Sequence, residues 1–486
     1  EEVEASIIGA FTNSHHLIVT YSGQTVADLP MSFLHDGRPD RTLEAVWLRD
    51  NAADDYLIGG RATARVPAPT MTTVEVSDDT YHSRGGVDEG RGPLRSPSNF
   101  NDDVLRLLRH PTIASKESVV RRYDHEVQGA TVLKPLVGRA GNGPGDAAIL
   151  QPVLDEPGKA GIVLSNGINP LYGQFDPYWM AMNAVDEALR NLTAVGGDIE
   201  RAAILDNFCW GNPTDPAQLG MLVRAVKGCH DAATGFGVPF ISGKDSLNNE
   251  YRAGGQRLPV IPTLLISALG VIDNAAQSVD MSLKQPGNLL YLAGKTCNEL
   301  AGSHYFEITS AERRAGAEAR NVARAGASPA PTLYDFTDRS VAGYGPGLPN
   351  FPAPWSDLDT TVPHVDVATA RATMNAVGKA IRAGLVQSCH DLSEGGLAVA
   401  AAEMGLAGLL GLSIVVEQVP CEPLEYADEL LATILLFSES ASRFLVEVAP
   451  QHQEAFEAHM QAHHMHDMAC LGSVTDNGRF QVRAGE

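Results

Sequence analysis

Two rhythms of apolar residues run along this chain. Near its start and near its end, at residues 7–22 and 470–485, apolar and polar positions alternate in short runs, the period of half-buried strands. Between them, short apolar runs ("DAAIL", "GIVLSNG", "AAILDNF", "VPFIS", "LLISALGVI", "NLLYLAG") are separated by segments whose apolar residues recur every three or four positions. In "FDPYWMAMNAVDEALRNLTAVGG", Trp179, Val185, Ala188, Leu189 and Leu192 form such a stripe. Asp176 is a ready N-cap, Pro177 suits the first helical position, and Gly196 is placed to end the helix. Further helices are predicted over about 216–235, 366–384 and 397–406. Strands interleaved with helices predict an α/β (α+β) chain.

The alternating ends repeat one another. "IIGAFTNSHHLIVTYS" (7–22) and "CLGSVTDNGRFQVRAG" (470–485) coincide at Ile8/Leu471, Gly9/Gly472, Thr12/Thr475, Asn13/Asp476, Leu17/Phe480 and Val19/Val482. Each reads as a strand, a polar turn and a second strand, hence a hairpin. The expectation is that the chain opens with the last hairpin of one domain and closes with the same hairpin of its duplicate. Chance similarity of two hairpins is the competing reading. Between them, "SDDTYHSRGGVDEGRGPLRSPSNFND" (77–102) has linker composition, and "AGASPAPTLYDFTDRSVAGYGPGLPNFPAPWSD" (325–357) reads as an inserted loop. The predicted organisation is a terminal hairpin at 1–36, a linker at 37–102, one domain at 103–278 and another at 279–486 with an insertion at about 305–360.

Composition removes several function classes. A formal net charge of −23 over 486 residues speaks against a nucleic-acid surface, which needs Lys/Arg clusters. The six cysteines form no CxxC pair, so a disulfide framework or zinc site is not expected. No apolar stretch is long enough to span a bilayer and no signal-peptide pattern opens the chain, which predicts a cytoplasmic protein without membrane partners.

The candidate chemistry lies where strands end. "SGKDSLNN" (242–249) imitates a phosphate loop, but five residues separate Gly237 from Gly243, and Asp245 stands where Ser or Thr should follow the lysine. Glu187 and Asn191 are one helical turn apart, a carboxylate and an amide oxygen suited to Mg²⁺ or, as readily, to a solvated face. Asp146 precedes one strand, Asp206 ends the strand "AAIL", Asp245 and Ser246 follow the strand "VPFIS", and Asp391 follows a further short strand ahead of Gly395-Gly396. Ligands of open α/β sheets gather at such strand ends. Each acid alone also fits a turn or cap; together they point to a metal–nucleotide site. In "VVRRYDHEVQG", His125 beside Asp124 offers a general base or a structural histidine. The histidines of "HMQAHHMHDMAC" fit an exposed helix better than a metal site. Hydrolase, zincin and Rossmann signatures are missing.

"SNGINPLYGQFDPYWMAMNAVDEALRNLTAVGGD", "ILDNFCWGNPTDP", "PFISGKDSLNNE", "HDLSEGGLAVAAAEM", "HPTIASKESVVRRYDHEVQGATVLKPLVG" and "ADLPMSFLHDG" together resemble the synthetase component of the phosphoribosylformylglycinamidine synthase family, across nearly the whole chain and in order. The resemblance implies two fused copies of an aminoimidazole-ribonucleotide-synthetase-like unit, each with an N-domain and a C-domain. This chain would be the tail of the first C-domain followed by the second N-domain and C-domain, with the first N-domain missing. It implies a carbon–nitrogen ligase of purine biosynthesis: ATP-dependent amidation of formylglycinamide ribonucleotide with ammonia from a glutaminase subunit or domain. It further implies that Asp206, Gly243 and Lys244 contact ATP, that Ser246 contacts substrate, and that Asp146, Glu187, Asn191 and Asp391 hold Mg²⁺ at an auxiliary site carrying a structural ADP. Lys244 departs from the small-subunit form, which has a metal-binding Asn there, and agrees with the large form. His125 takes the place of the first copy's catalytic histidine. Two alternatives stay open: a stand-alone synthetase of the same superfamily, or a non-catalytic scaffold half that binds ADP and Mg²⁺.

Overall fold

The computed structural model describes residues 6–36, 43–46, 74–75, 100–126, 128–153, 159–253, 256–309, 361–424 and 428–483. Most of the expected linker and the 310–360 part of the expected insertion therefore lie outside the described residues. Residues 304–309, where the insertion is expected to begin, are helical. Residues 1–78 and 79–486 form two separate units.

In the first unit, His16–Tyr21 pairs antiparallel with Gln24–Pro30. The two-residue turn, Ser22-Gly23, has positive φ at both positions (48° and 76°), the geometry that matches strand twist. This corrects the expected hairpin. Residues 7–11 form no strand, and Ile7, Ile8 and Phe11 are fully exposed. The strand 16–21 takes the nearer partner, closed by the shorter loop.

The second unit contains two six-stranded sheets. In the first, the order across the sheet is Phe240–Leu247, Asp198–Trp210, Thr263–Ile272, Gly161–Ile168, Ala147–Leu150 and Thr131–Leu133. Only the first two strands pair parallel, so their connection needs a crossover, supplied by the helix Pro216–Phe236. That helix and Pro177–Ala194 pack together on one face of the sheet. The sequence-level caps hold: Asp176 accepts from Tyr178 N at 2.8 Å, and Gly196 ends the helix at φ 95°. Asp176 also accepts from Arg224 Nε at 2.7 Å, tying the two helices.

Gly167 lets the sheet meet the helix Pro177–Ala194 closely. A Cβ there would lie 2.1 Å from Ala184 O and 2.7 Å from Ala188 N, both helix backbone that cannot rotate away. Gly167→Ala is expected to cost about 1–3 kcal/mol, read as a lower urea midpoint at unchanged slope.

The second sheet runs Ser388–Asp391, Phe444–Val448, Leu289–Ala293, Met468–Thr475, Gly411–Val415 and Phe480–Arg483. Here too a hairpin expectation is corrected. Met468–Thr475 and Phe480–Arg483 do not pair with each other; Gly411–Val415 lies between them, antiparallel to one and parallel to the other. The inserted strand satisfies backbone groups on both of its edges, which a closed hairpin would leave to one side. Tyr291 and Ala293 belong to the core built on the helices Pro177–Ala194 and Val367–Arg382, while Leu290 and Leu292 join a second core with Leu397, Met404 and Phe437. The first core thus spans both sheets. All six cysteines are free. No helix among the described residues is long and apolar enough to cross a membrane.

Candidate functional site

A cavity of about 250 Å³ opens where helix 177–194, the loop ahead of Ala147–Leu150, the end of Ser388–Asp391 and the segment 112–116 meet. Asp146, Glu187, Asn191 and Asp391 all line it. They arrive from three stretches of chain as far as 245 residues apart.

Each is fixed by its own neighbours. Asp146 Oδ1 accepts from Asp391 N at 3.0 Å and from His390 Nδ1 at 2.7 Å. Its Oδ2 is buried with no hydrogen-bond partner. Burial pushes the Asp146 carboxyl up, and the adjacent His390 pulls it back. Glu187 Oε2 accepts from Ile168 N at 2.9 Å and Asn169 Nδ2 at 3.3 Å. Burial, then the facing Glu394, drives Glu187 well above the usual carboxylate range. Asn191 Nδ2 donates to Asn166 O at 2.9 Å, so its amide oxygen is the atom left for a cation. Asp391 Oδ2 accepts from Arg190 Nε and Nη2, both at 3.2 Å, and from Ser393 Oγ.

Behind these acids stand residues that sequence reasoning did not single out. Arg190, buried between Glu187 and Asn191 in sequence, also donates to Asp186, whose carboxylate accepts from Ser442 N at 3.1 Å. His390 is held between Asp146 and Glu403, the latter 3.2 Å from Nε2. Burial opposes its protonation, but the two carboxylates outweigh that and hold it well above the ordinary histidine value. Lys116 lines the cavity with Nζ donating to Pro111 O at 2.7 Å and Thr112 O at 2.9 Å. The only sequence signals were adjacency, "CHD" for His390, and the i, i+4 spacing of Asp186 and Arg190.

The donor set suits a hard cation. Asp146, His390 and Asp391 place ligand-type atoms within 4.8 Å of one another. Both His390 nitrogens already face carboxylates, so His390 orients Asp146, and the oxygens do the ligating. A buried carboxylate oxygen without a donor, beside a second buried carboxylate and an amide oxygen, is what Mg²⁺ would satisfy.

Asp206, Gly243, Lys244 and Ser246 do not line this cavity. The expected strand-end placement is corrected: all four lie within the paired strands Asp198–Trp210 and Phe240–Leu247, at the sheet edge, because the parallel ladder runs on past them to Trp210 and Leu247, with Asp206 opposite Gly243. A Cβ on Gly243 would lie 2.2 Å from Asp206 Oδ1, so glycine is needed for that carboxylate's position. Register puts Asp206 level with Ile266 and Gly167, on the helix-covered face. Lys244 and Ser246, hydrogen-bonded to each other, face the open side. Burial raises the Asp206 pKa, with Asp245 adding to it. His125 joins neither group: its Nδ1 contacts Tyr123 O at 3.1 Å and its Nε2 lies 3.5 Å from Glu126, both in its own loop.

Comparison with known proteins gives two family-model matches: AIR synthase related protein, N-terminal domain, over residues 144–272, and the C-terminal domain of the same family over 350–485. The phosphoribosylformylglycinamidine synthase subunit PurL of Methanothrix thermoacetophila is 28% identical over 494 residues, covering 100% of this chain and 50% of that protein. The corresponding Deinococcus radiodurans subunit is 30% identical over 452 residues, 92% of this chain and 47% of its own length. The chain spans about half the length of the curated relatives it matches. Among solved structures, T. maritima PurL complexed with ATP aligns over 79% of this chain and 49% of that one, with TM-score 0.50 and 16% identity, a likeness of fold.

Proposed function

The chain belongs to the AIR synthase related family, with both of its domains, and from that premise we propose that it is the second half of a phosphoribosylformylglycinamidine synthase of the PurL type. In this reading the amide oxygen of formylglycinamide ribonucleotide takes the γ-phosphoryl group of ATP. Ammonia released from glutamine by a glutaminase subunit or domain adds to the same carbon, and phosphate leaves with the oxygen. The products are formylglycinamidine ribonucleotide, ADP and phosphate.

The observation that carries the reading is the meeting of Asp146, Glu187, Asn191 and Asp391 in one cavity. These four residues would hold Mg²⁺, which there would neutralise the charge of a bound ADP. Arg190 fixes Asp391 and His390 fixes Asp146, so the oxygens keep their spacing without a ligand to order them. Asp206, Gly243 and Lys244 would meet ATP, and Ser246 the ribonucleotide, at a separate place. The open sheet face favours a partner there. Besides Lys244 and Ser246 it exposes Leu164, Ile168 and Leu269, apolar surface that another unit could cover. A first synthetase-like unit, on the same polypeptide or another, is the proposed cover.

A scaffold role that binds ADP and Mg²⁺ without catalysis is favoured by one observation: His125 is engaged by its own loop and stands apart from the cavity. One measurement tests the cavity assignment that both readings share, and a second separates them. Calorimetry is expected to find Mg²⁺-dependent ADP binding that Asp391→Asn abolishes; nucleotide binding indifferent to Mg²⁺ would refute the cavity assignment. ATP hydrolysis dependent on formylglycinamide ribonucleotide and ammonia is expected only after a first unit is added. Turnover by this chain alone would overturn the two-halves reading, and its absence with a competent first unit would leave the scaffold.

A further inference from the structure

A second group of ligand-type side chains lies outside that donor set. His110 follows the helix Phe100–Arg109, and His304 and Glu307 are three apart on the helical turn 304–309. Their ligating atoms all lie within 4.8 Å of one another. His110 Nε2 is 3.4 Å from Glu307 Oε2, and the two imidazole rings meet edge to face with centroids 4.9 Å apart. We propose that His110, His304 and Glu307 form a site for a transition-type divalent cation such as Zn²⁺ or Co²⁺, distinct from the oxygen-lined cavity.

Two features point to an ion rather than to a plain ion pair. The His304 side chain is 8% exposed, and its Nδ1 is buried without a hydrogen-bond partner, 3.6 Å from Glu439 Oε1. Glu439 is itself immobilised, accepting from His304 N at 3.0 Å, Gly395 N at 2.7 Å and Tyr172 OH at 2.6 Å. A fixed carboxylate behind a histidine is the arrangement that orients the ring and leaves its other nitrogen for a metal.

Two imidazole nitrogens and one carboxylate oxygen suit a borderline cation, whereas the cavity's oxygens suit Mg²⁺. Three protein ligands leave a fourth position for water. His110 Nδ1 now accepts from Thr112 N at 3.3 Å. Coordination through Nε2 would move the ring proton to Nδ1 and end that contact, and Thr112 opens the segment that walls the cavity. An ion here would therefore act on the shape of that wall.

The test is Co²⁺ titration of the whole chain with excess Mg²⁺ present, followed by visible absorption, with Zn²⁺ as competitor. One equivalent of Co²⁺ should bind in the original chain and in Asp391→Asn. His110→Ala and Glu307→Gln should each weaken it by more than the roughly 10- to 100-fold that loss of an outer partner costs. Glu307 is 47% exposed, so its substitution leaves the fold intact and the comparison readable. No saturable Co²⁺ binding in the original chain would overturn the proposal. So would binding that survives both substitutions, or that disappears with Asp391→Asn alone.

Discussion

Arg190→Ala is expected to destabilise the protein by about 3–5 kcal/mol, the usual cost of stripping the partner from buried charge. Arg190 is 4% exposed and serves two acids at once, Asp186 on its own helix and Asp391 across the seam between the sheets. Asp186 is fully buried and Asp391 is 5% exposed, so water cannot replace the guanidinium. Ser442 and Ser393 would still donate to the two carboxylates, but neither carries charge. The measurement is chemical denaturation, with Asp186→Asn and the double variant completing a cycle. A loss below about 1 kcal/mol, the range of exposed pairs, would mean that the triad is hydrated and not structural.

Glu187→Gln is expected to separate folding from binding. Burial, then Glu394, raises the Glu187 carboxyl well above its ordinary range, which shifts the cation-free folded state toward the neutral form relative to an exposed carboxyl. Glutamine copies that form and keeps an oxygen for Ile168 N. Because the folded pKa is raised, the carboxyl's stabilising contribution is complete below the unfolded value and is lost as pH rises through the folded one. Glu394, pushed up to about 7 by burial, behaves alike. The cation-free protein should therefore lose stability from the usual carboxylate range up toward pH 7, and Glu187→Gln should lose less. With Mg²⁺ and ADP the ranking reverses. Ligand at a hundred times Kd should stabilise the original chain by about 2.7 kcal/mol, while the variant should show almost no thermal shift. A variant with the full shift would remove Glu187 from the ligand set.

Much of the fold was legible because its signals are local. Asp176, Pro177 and Gly196 bracket one helix, and alternation marks the strands that the structure contains. The two expected hairpins show where such reading stops. His16–Tyr21 turned to the segment after it, and Met468–Thr475 and Phe480–Arg483 were separated by Gly411–Val415, arriving from more than 50 residues upstream. Apolar alternation gives a strand its inward face but does not name its neighbour.

The candidate site divides in the same way. The sequence by itself determined the donor types: acids at strand ends, and a carboxylate and amide one helical turn apart, with no Walker loop. It also determined a net charge of −23, unsuited to nucleic acid. Only the tertiary structure decided that Asp146 and Asp391 touch, that Arg190 neutralises Asp391, and that Lys244 and Ser246 face away from Asp206. Helix caps and alternation act through atoms a few residues apart, so they are written in short words of sequence. Contact across 245 residues depends on how two sheets stack on a shared core, and no local stretch of chain encodes that.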